Sequence, residues 1–212
     1  MVLTASKDPA SIPSRQFLYE AYKNKIDLIP EENYKKYLGL CGSRLAKIKY
    51  CSTCDIYRPP RAIHCGICNC CIERLDHHCP WLGTCVGKRN YKYFICFIQS
   101  TAVMVIMTIA TCSIHITESE FYTEERYSGK QITSIVLLVF TSILGIFVFW
   151  LLGYHQYLII RNETTSENLK GSYRKYGNPF DKGCLDNIKR LFRRDKRNWH
   201  PEQTIIKEQV ID

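Results

Sequence analysis

The chain has 212 residues, room for one or two modest domains, with a net charge of +9 and twelve cysteines. Eight of those cysteines fall between Cys51 and Cys85. That clustering argues against a small secreted disulfide scaffold, and the opening MVLTASKDPASIP lacks the apolar run of a signal peptide. The basic balance leaves two partners open, nucleic acid or an anionic membrane face.

Residues 1–50 read as a mixed polar N-terminal segment, with a helix expected around Ser14 to Tyr22. Residues 51–92 form a cysteine-rich domain. Between Cys51 and Cys85 lie eight cysteines and three histidines, His64, His77 and His78, eleven soft donors in all. The Cys51-x2-Cys54 and Cys65-x2-Cys68 pairs suit zinc, because one tight turn brings two thiolates ~3.5–4 Å apart around a tetrahedral ion. Two closed sites need eight ligands, which leaves one histidine and two cysteines over. Adjacent side chains project in different directions, so one of His77 and His78 reaches metal while the other faces elsewhere. A cysteine beside a free histidine is how a thiolate is made, and Asp76 can orient that imidazole. Asp76, a histidine and Cys79 thus supply an activated nucleophile within four consecutive residues. A RING-type module wants a further CxxC pair after Cys85, and none follows.

From Tyr93 to Thr117, and again from Gln131 to Ile160, there is no Asp, Glu, Lys or Arg. Each stretch exceeds the ~20 apolar residues that cross a hydrocarbon core. Residues 93–117 and 131–160 are therefore predicted transmembrane helices, joined by a non-cytosolic loop over 118–130. Lys88, Arg89 and Lys92 precede the first span; Arg161, Lys170, Arg174 and Lys175 follow the second. That asymmetry puts both termini, and the cysteine cluster, in the cytosol. The fold class expected is an α-helical integral membrane protein with two spans and a cytosolic, mostly irregular zinc-bound domain. Two spans account for the basic balance without nucleic acid. The tail, residues 161–212, holds the basic run KRLFRRDKR, either a solvated face or a site of headgroup or phosphate attraction.

Residues 51–94, CSTCDIYRPPRAIHCGICNCCIERLDHHCPWLGTCVGKRNYKYF, resemble the cysteine-rich domain of DHHC protein S-acyltransferases, the palmitoyltransferases. The RPPR step, the HCxxCxxC run, DHHCPW and CVGxxNYxxF stand in order. TTSE, Thr164 to Glu167, matches the family's TTxE motif, with Thr164, Thr165 and Glu167 in place. NPFDKGCLDN, ending at Asn187, is similar to its short C-terminal motif, and DPASIP to its DPG motif, with Ala10 in the glycine position.

The resemblance implies two structural Zn2+ sites. One is Cys51, Cys54, His64 and Cys71; the other is Cys65, Cys68, His78 and Cys85. It makes Cys79 the nucleophile, His77 its base and Asp76 the orienting acid, with Cys70 spare. The implied reaction moves a long-chain acyl group from palmitoyl-CoA, the co-substrate, through acyl-Cys79 to cysteines of cytosolic or membrane-associated proteins. Lys88 and Arg89 are candidates for the CoA phosphates, or topology anchors. An endomembrane (Golgi or ER) or the plasma membrane is the expected location. The rival reading is a non-catalytic, membrane-anchored zinc module that binds partners. Family members carry four spans, two ahead of the cysteine-rich domain, and this sequence has none there. Three readings follow: a truncated sequence, a short form, or a protein completed by an accessory subunit.

Overall fold

The computed structural model of the chain describes residues 1–14, 39–41, 44–46, 49–122 and 129–193. The helix expected around Ser14 to Tyr22 lies outside the described residues, Ser14 apart. The chain divides into two compact units, Met1–Tyr93 with Leu158–Asp212, and Phe94–Tyr157.

In the first unit, helix α1 (Val2–Ser6) and strand β1 (Ser11–Ile12) lead into β2 (Gly39–Cys41) and β3 (Arg44–Ala46). Then come β4 (Lys49–Cys51), β5 (Ile56–Arg58), β6 (Ile63–Cys65), β7 (Cys70–Ile72), β8 (His77–Cys79) and β9 (Thr84–Val86). Most of the cysteine-rich domain over 51–92 is turns and loops, with short strands among them. Every strand has only two or three residues, yet they pair into four small antiparallel sheets, β1-β7-β6, β2-β3, β4-β5 and β8-β9.

Local sequence explains the hairpins. Each CxxC turn is followed by a residue in left-handed backbone, Asp55 (φ 53°) after Cys54 and Asn69 (φ 51°) after Cys68. Asp and Asn tolerate that conformation, and it turns the chain back along its partner strand. Between β8 and β9 the same work falls to Gly83 (φ 64°), and the amides of Leu82 and Gly83 bond the carbonyls of Cys79 and Pro80.

The apolar interior is small, and cysteines make up much of it. One cluster joins Ile12, Cys51, Cys54, Ala62 and Cys71; another joins Cys65, Ile72, Leu75 and Cys85. A core this size gives little stability without a further staple. The N-terminal segment folds onto it. Ser11 and Ile12 pair with Ile72 and Cys71 at the sheet edge. Asn90 donates to the carbonyls of Thr4 and Cys85 and accepts from the Gly87 amide. Gly87 has no room for a side chain, since a Cβ there would meet the Pro9 carbonyl at 2.4 Å. Ala10 sits at φ 83°, a conformation that a glycine takes without strain.

Helices α2 (Tyr91–Tyr122) and α3 (Gly129–Arg161) supply the second unit. Both run past the charge-free stretches, the first ending at Tyr122 and the second starting at Gly129. At 1.5 Å per residue each is about 48 Å long. Both are long and apolar enough to cross a membrane. Val105 lies so near Gly145 that a Cβ there would approach its Cγ1 to 2.9 Å. The remaining surface is apolar and open, including Met104, Met107, Phe140, Ile143, Ile146 and Phe147. An apolar face of that extent does not belong in water. Hydroxyls on these helices turn inward to the backbone, as Thr108 does to the Met104 carbonyl and Ser142 to that of Leu138.

Back in the first unit, α3 ends at Asn162 in left-handed backbone (φ 50°). A short helix α4 (Thr165–Leu169) and a nine-residue helix α5 (Cys184–Phe192) follow.

Candidate active site and metal centres

Strand register sorts the donors. In β6-β7, His64 stands opposite Cys71 and Cys65 opposite Cys70. Successive residues of a strand face opposite sides, so His64 and Cys71 share one face while Cys65 faces the other way. His64 Nδ1 lies 3.5 Å from Cys51 Sγ, 3.3 Å from Cys54 Sγ and 3.9 Å from Cys71 Sγ. In β8-β9, His78 stands opposite Cys85. His78 Nδ1 lies 3.7 Å from Cys65 Sγ, 3.4 Å from Cys68 Sγ and 3.6 Å from Cys85 Sγ.

These two groups, Cys51-Cys54-His64-Cys71 and Cys65-Cys68-His78-Cys85, are the metal-compatible clusters among the described residues. A tetrahedral zinc with Zn–S of ~2.3 Å and Zn–N of ~2.0 Å places N and S about 3.5 Å apart, close to the spacing found. The donor chemistry fits too. Burial, then the sulfurs of Cys51 and Cys54, pushes the Cys71 thiol up; burial and Cys65 and Cys68 do the same to Cys85. Thiols so crowded ionise readily only around a cation. Cys70 falls in neither group.

The face alternation also separates the adjacent histidines. His77 and Cys79 share one face of β8, and His78 takes the other. His77 Nδ1 lies 2.7 Å from Asp76 Oδ2. Asp76 is buried, and Thr165 holds it twice. The Thr165 amide donates to Oδ1 at 2.8 Å and its hydroxyl to Oδ2 at 2.7 Å. Ser166 Oγ donates to the Leu75 carbonyl at 2.9 Å. Thus TTSE grips the residues just before the histidine pair, although about ninety residues intervene. Cys79 itself is buried at 7% exposure, in the strand beside a fully open Trp81.

Thr164 and Glu167 build the support beneath. They form a reciprocal cap on α4: the Glu167 amide donates to Thr164 Oγ1, and the Thr164 amide to Glu167 Oε2. Arg61, from the RPPR step, meets Glu167 with two parallel bonds of 2.7 and 2.6 Å. It also donates to the Asn162 carbonyl at 2.8 Å and stacks over Phe180. The Tyr173 hydroxyl completes the carboxylate at 2.8 Å. Asn187 is buried; its amide donates to the Ile160 carbonyl and to Asp181, capping the end of α3.

Burial alone would raise the Glu167 carboxyl, but Arg61, the Thr164 amide and the Tyr173 hydroxyl outweigh it and hold it below 4.5. A depressed folded value means the unfolded chain binds the extra proton, so this stability is present above about pH 4.5 and fades as pH falls further. Arg61→Ala leaves a buried, unpaired charge and is expected to cost about 3–5 kcal/mol at neutral pH. The gap to wild type should narrow in acid, as thermal melts across pH would show. An equal gap at all pH values would contradict it.

Lys88 and Arg89, the candidates for CoA phosphates, stand in ion pairs with Glu73 and Asp8. Sequence reading gave no role to Arg61, Asn162, Tyr173 or Arg74. Arg61 was inside a quoted motif, so its signal was present. Arg74 donates to Asn162 Oδ1, and burial, then Arg61, pulls its guanidinium down to about 10. Nothing in the local sequence marks that contact.

A family model described as DHHC palmitoyltransferase matches residues 45–172. Similar proteins include Probable protein S-acyltransferase 6 of Arabidopsis thaliana, 45% identical over 71% of this chain and 38% of its own length. Probable protein S-acyltransferase 1 of the same plant is 35% identical over 96% of this chain and 65% of its own. Palmitoyltransferase ZDHHC9 of Danio rerio is 42% identical over 62% and 34%. The chain spans between a third and two thirds of the length of these relatives.

Proposed function

Since the chain belongs to the DHHC palmitoyltransferase family, we propose that it is a membrane-embedded protein S-acyltransferase acting through an acyl-Cys79 intermediate. The observation that carries this is the buried Asp76 carboxylate, bonded to His77 Nδ1 and fixed by Thr165, two and three residues from the shared-face Cys79. With the Nδ1 proton donated to Asp76, the acceptor lone pair of His77 is on Nε2.

In the first half-reaction His77 Nε2 takes the Cys79 proton. The sulfur attacks the thioester carbonyl of palmitoyl-CoA, a new C–S bond forms, and the bond to CoA breaks. His77 returns the proton to the departing thiolate. In the second, a cysteine thiol of a target protein attacks acyl-Cys79 by the same route, and Cys79 is regenerated. Thioester exchanges for thioester, so the chain's contribution is thiolate formation and positioning. The two four-donor clusters would each hold Zn2+, which supplies folding free energy and, with all four positions filled, no open site.

α2 and α3 would be the spans, with the cysteine-rich domain over 51–92 and the tail after 161 on the cytosolic side by the positive-inside bias. An endomembrane or plasma-membrane location and cysteine-bearing protein substrates at that face go with this reading. Cys79 lies only fourteen positions before Tyr93, which would keep the nucleophile near the headgroups. Lys88 and Arg89, already paired with Glu73 and Asp8, would act as topology anchors. Incubating the purified full chain with an alkyne-tagged palmitoyl-CoA and reading hydroxylamine-sensitive label tests the proposal.

Thr165 is a positioning residue in this scheme. Thr165→Ala removes one of the two bonds it makes to Asp76 and should slow acylation at saturating acyl-CoA about 10–100-fold, with little change in melting temperature. Thr165→Ser keeps the hydroxyl and should recover most of the rate. A parallel loss of folding in both variants would assign Thr165 to stability alone.

A further inference from the structure

Helix α5 presents two separate faces. Asn187 and the half-buried Leu191 lie on the side that meets the protein, where the Asn187 amide donates to the Ile160 carbonyl at 2.6 Å. At 100° per residue, Leu185, Ile188 and Phe192 fall within about 60° of one another on a different side. They are 73%, 38% and 60% exposed. Lys189 borders that apolar arc; Lys182 and Arg193 flank its ends, all exposed. None of the three has an ion-pair partner among the described residues. Asp186 and Arg190 occupy the opposite side, and Arg190 is turned to the Phe180 carbonyl.

We propose that α5 is an interfacial helix, lying on an anionic phospholipid surface with Leu185, Ile188 and Phe192 inserted among the headgroups and acyl boundary. This rests on the reading of α3 as a span. Ile160 is in its last turn, so the Asn187 bond holds α5 where α3 would leave the hydrocarbon. A short helix with an apolar arc edged by lysine and arginine suits that boundary. The cations match the negative charge of a cytosolic leaflet. Bracing α5 against lipid would also fix the Asn187 cap at the end of α3.

The test uses the full chain in nanodiscs of phosphatidylcholine, with or without phosphatidylserine. A benzophenone amino acid is placed at position 188, 192, 186 or 144. Positions 188 and 192 should cross-link to lipid, and 186 should not. Phosphatidylserine should raise the yield at 188, and Lys182→Gln with Lys189→Gln should cut that gain by about fivefold per charge. Equal yields at 186 and 188, or cross-links at 188 to protein only, would overturn the proposal when position 144, within α3, labels lipid. Absence of lipid label at 144 would overturn the spanning reading, and this inference with it.

Discussion

Cys79→Ala is expected to abolish covalent acylation of the chain by palmitoyl-CoA, a loss of ~10⁴-fold or more against wild type, as removal of a nucleophile does elsewhere. The expectation rests on how β8 divides its side chains. His78 is committed to the cluster with Cys65, Cys68 and Cys85, leaving His77 bonded to Asp76 on the face it shares with Cys79. Cys79 lies outside both four-donor groups, so the alanine variant should keep its metal and its melting temperature. His77→Ala should slow the reaction ~10²–10⁴-fold, the usual worth of a general base. A non-catalytic zinc module makes the opposite forecast. Label would then be weak, scattered over the exposed Cys96 and Cys184 outside the clusters, and unchanged in Cys79→Ala.

His78→Ala and Cys71→Ala should fail to fold rather than merely lose activity. Structural zinc supplies ~10–16 kcal/mol in small domains, which equals or exceeds the 5–15 kcal/mol total stability of a typical protein. The interleaving makes the loss global. The first cluster draws His64 and Cys71 from β6 and β7, while the second draws Cys65 from β6, so an ion in each would brace a strand that the other needs. Elemental analysis of the purified chain should give about two zinc equivalents, one for each cluster. Cys70→Ala should keep both, because Cys70 falls in neither group. Retention of two equivalents and a native melt in Cys71→Ala, with loss in Cys70→Ala, would reverse the assignment.

Much of the site was legible because zinc chemistry is written in spacing. The donor surplus alone argued for a free histidine beside a free cysteine, before any geometry. Spacing leaves Cys70 and Cys71 equivalent, and likewise His77 and His78; the family resemblance orders each pair, and strand register supplies the physical reason. The strands escaped sequence reading for a physical reason. At two or three residues they show no period, and they are held by turns at Asp55 and Asn69 and by the clusters, not by propensity. The long helices were plain from their charge-free runs. The polar brace is half visible in the sequence: TTSE stands out as a motif, but nothing in it shows that Thr165 grips Asp76 while Glu167 grips Arg61. A contact over about ninety residues leaves no local trace. The outward arc of α5 reaches the basic run only at Phe192, and it takes the burial of Asn187 to tell which side is free.

The most direct test of the central claim is to locate the acyl group on the unaltered chain. After brief incubation of the full protein with palmitoyl-CoA, peptides would be fragmented under mildly acidic conditions that preserve thioesters. One hydroxylamine-labile palmitoyl adduct is expected within Leu75–Lys88, carried on Cys79 and not on Cys85. An adduct found on Cys70, Cys96 or Cys184, with Cys79 unmodified, would contradict it.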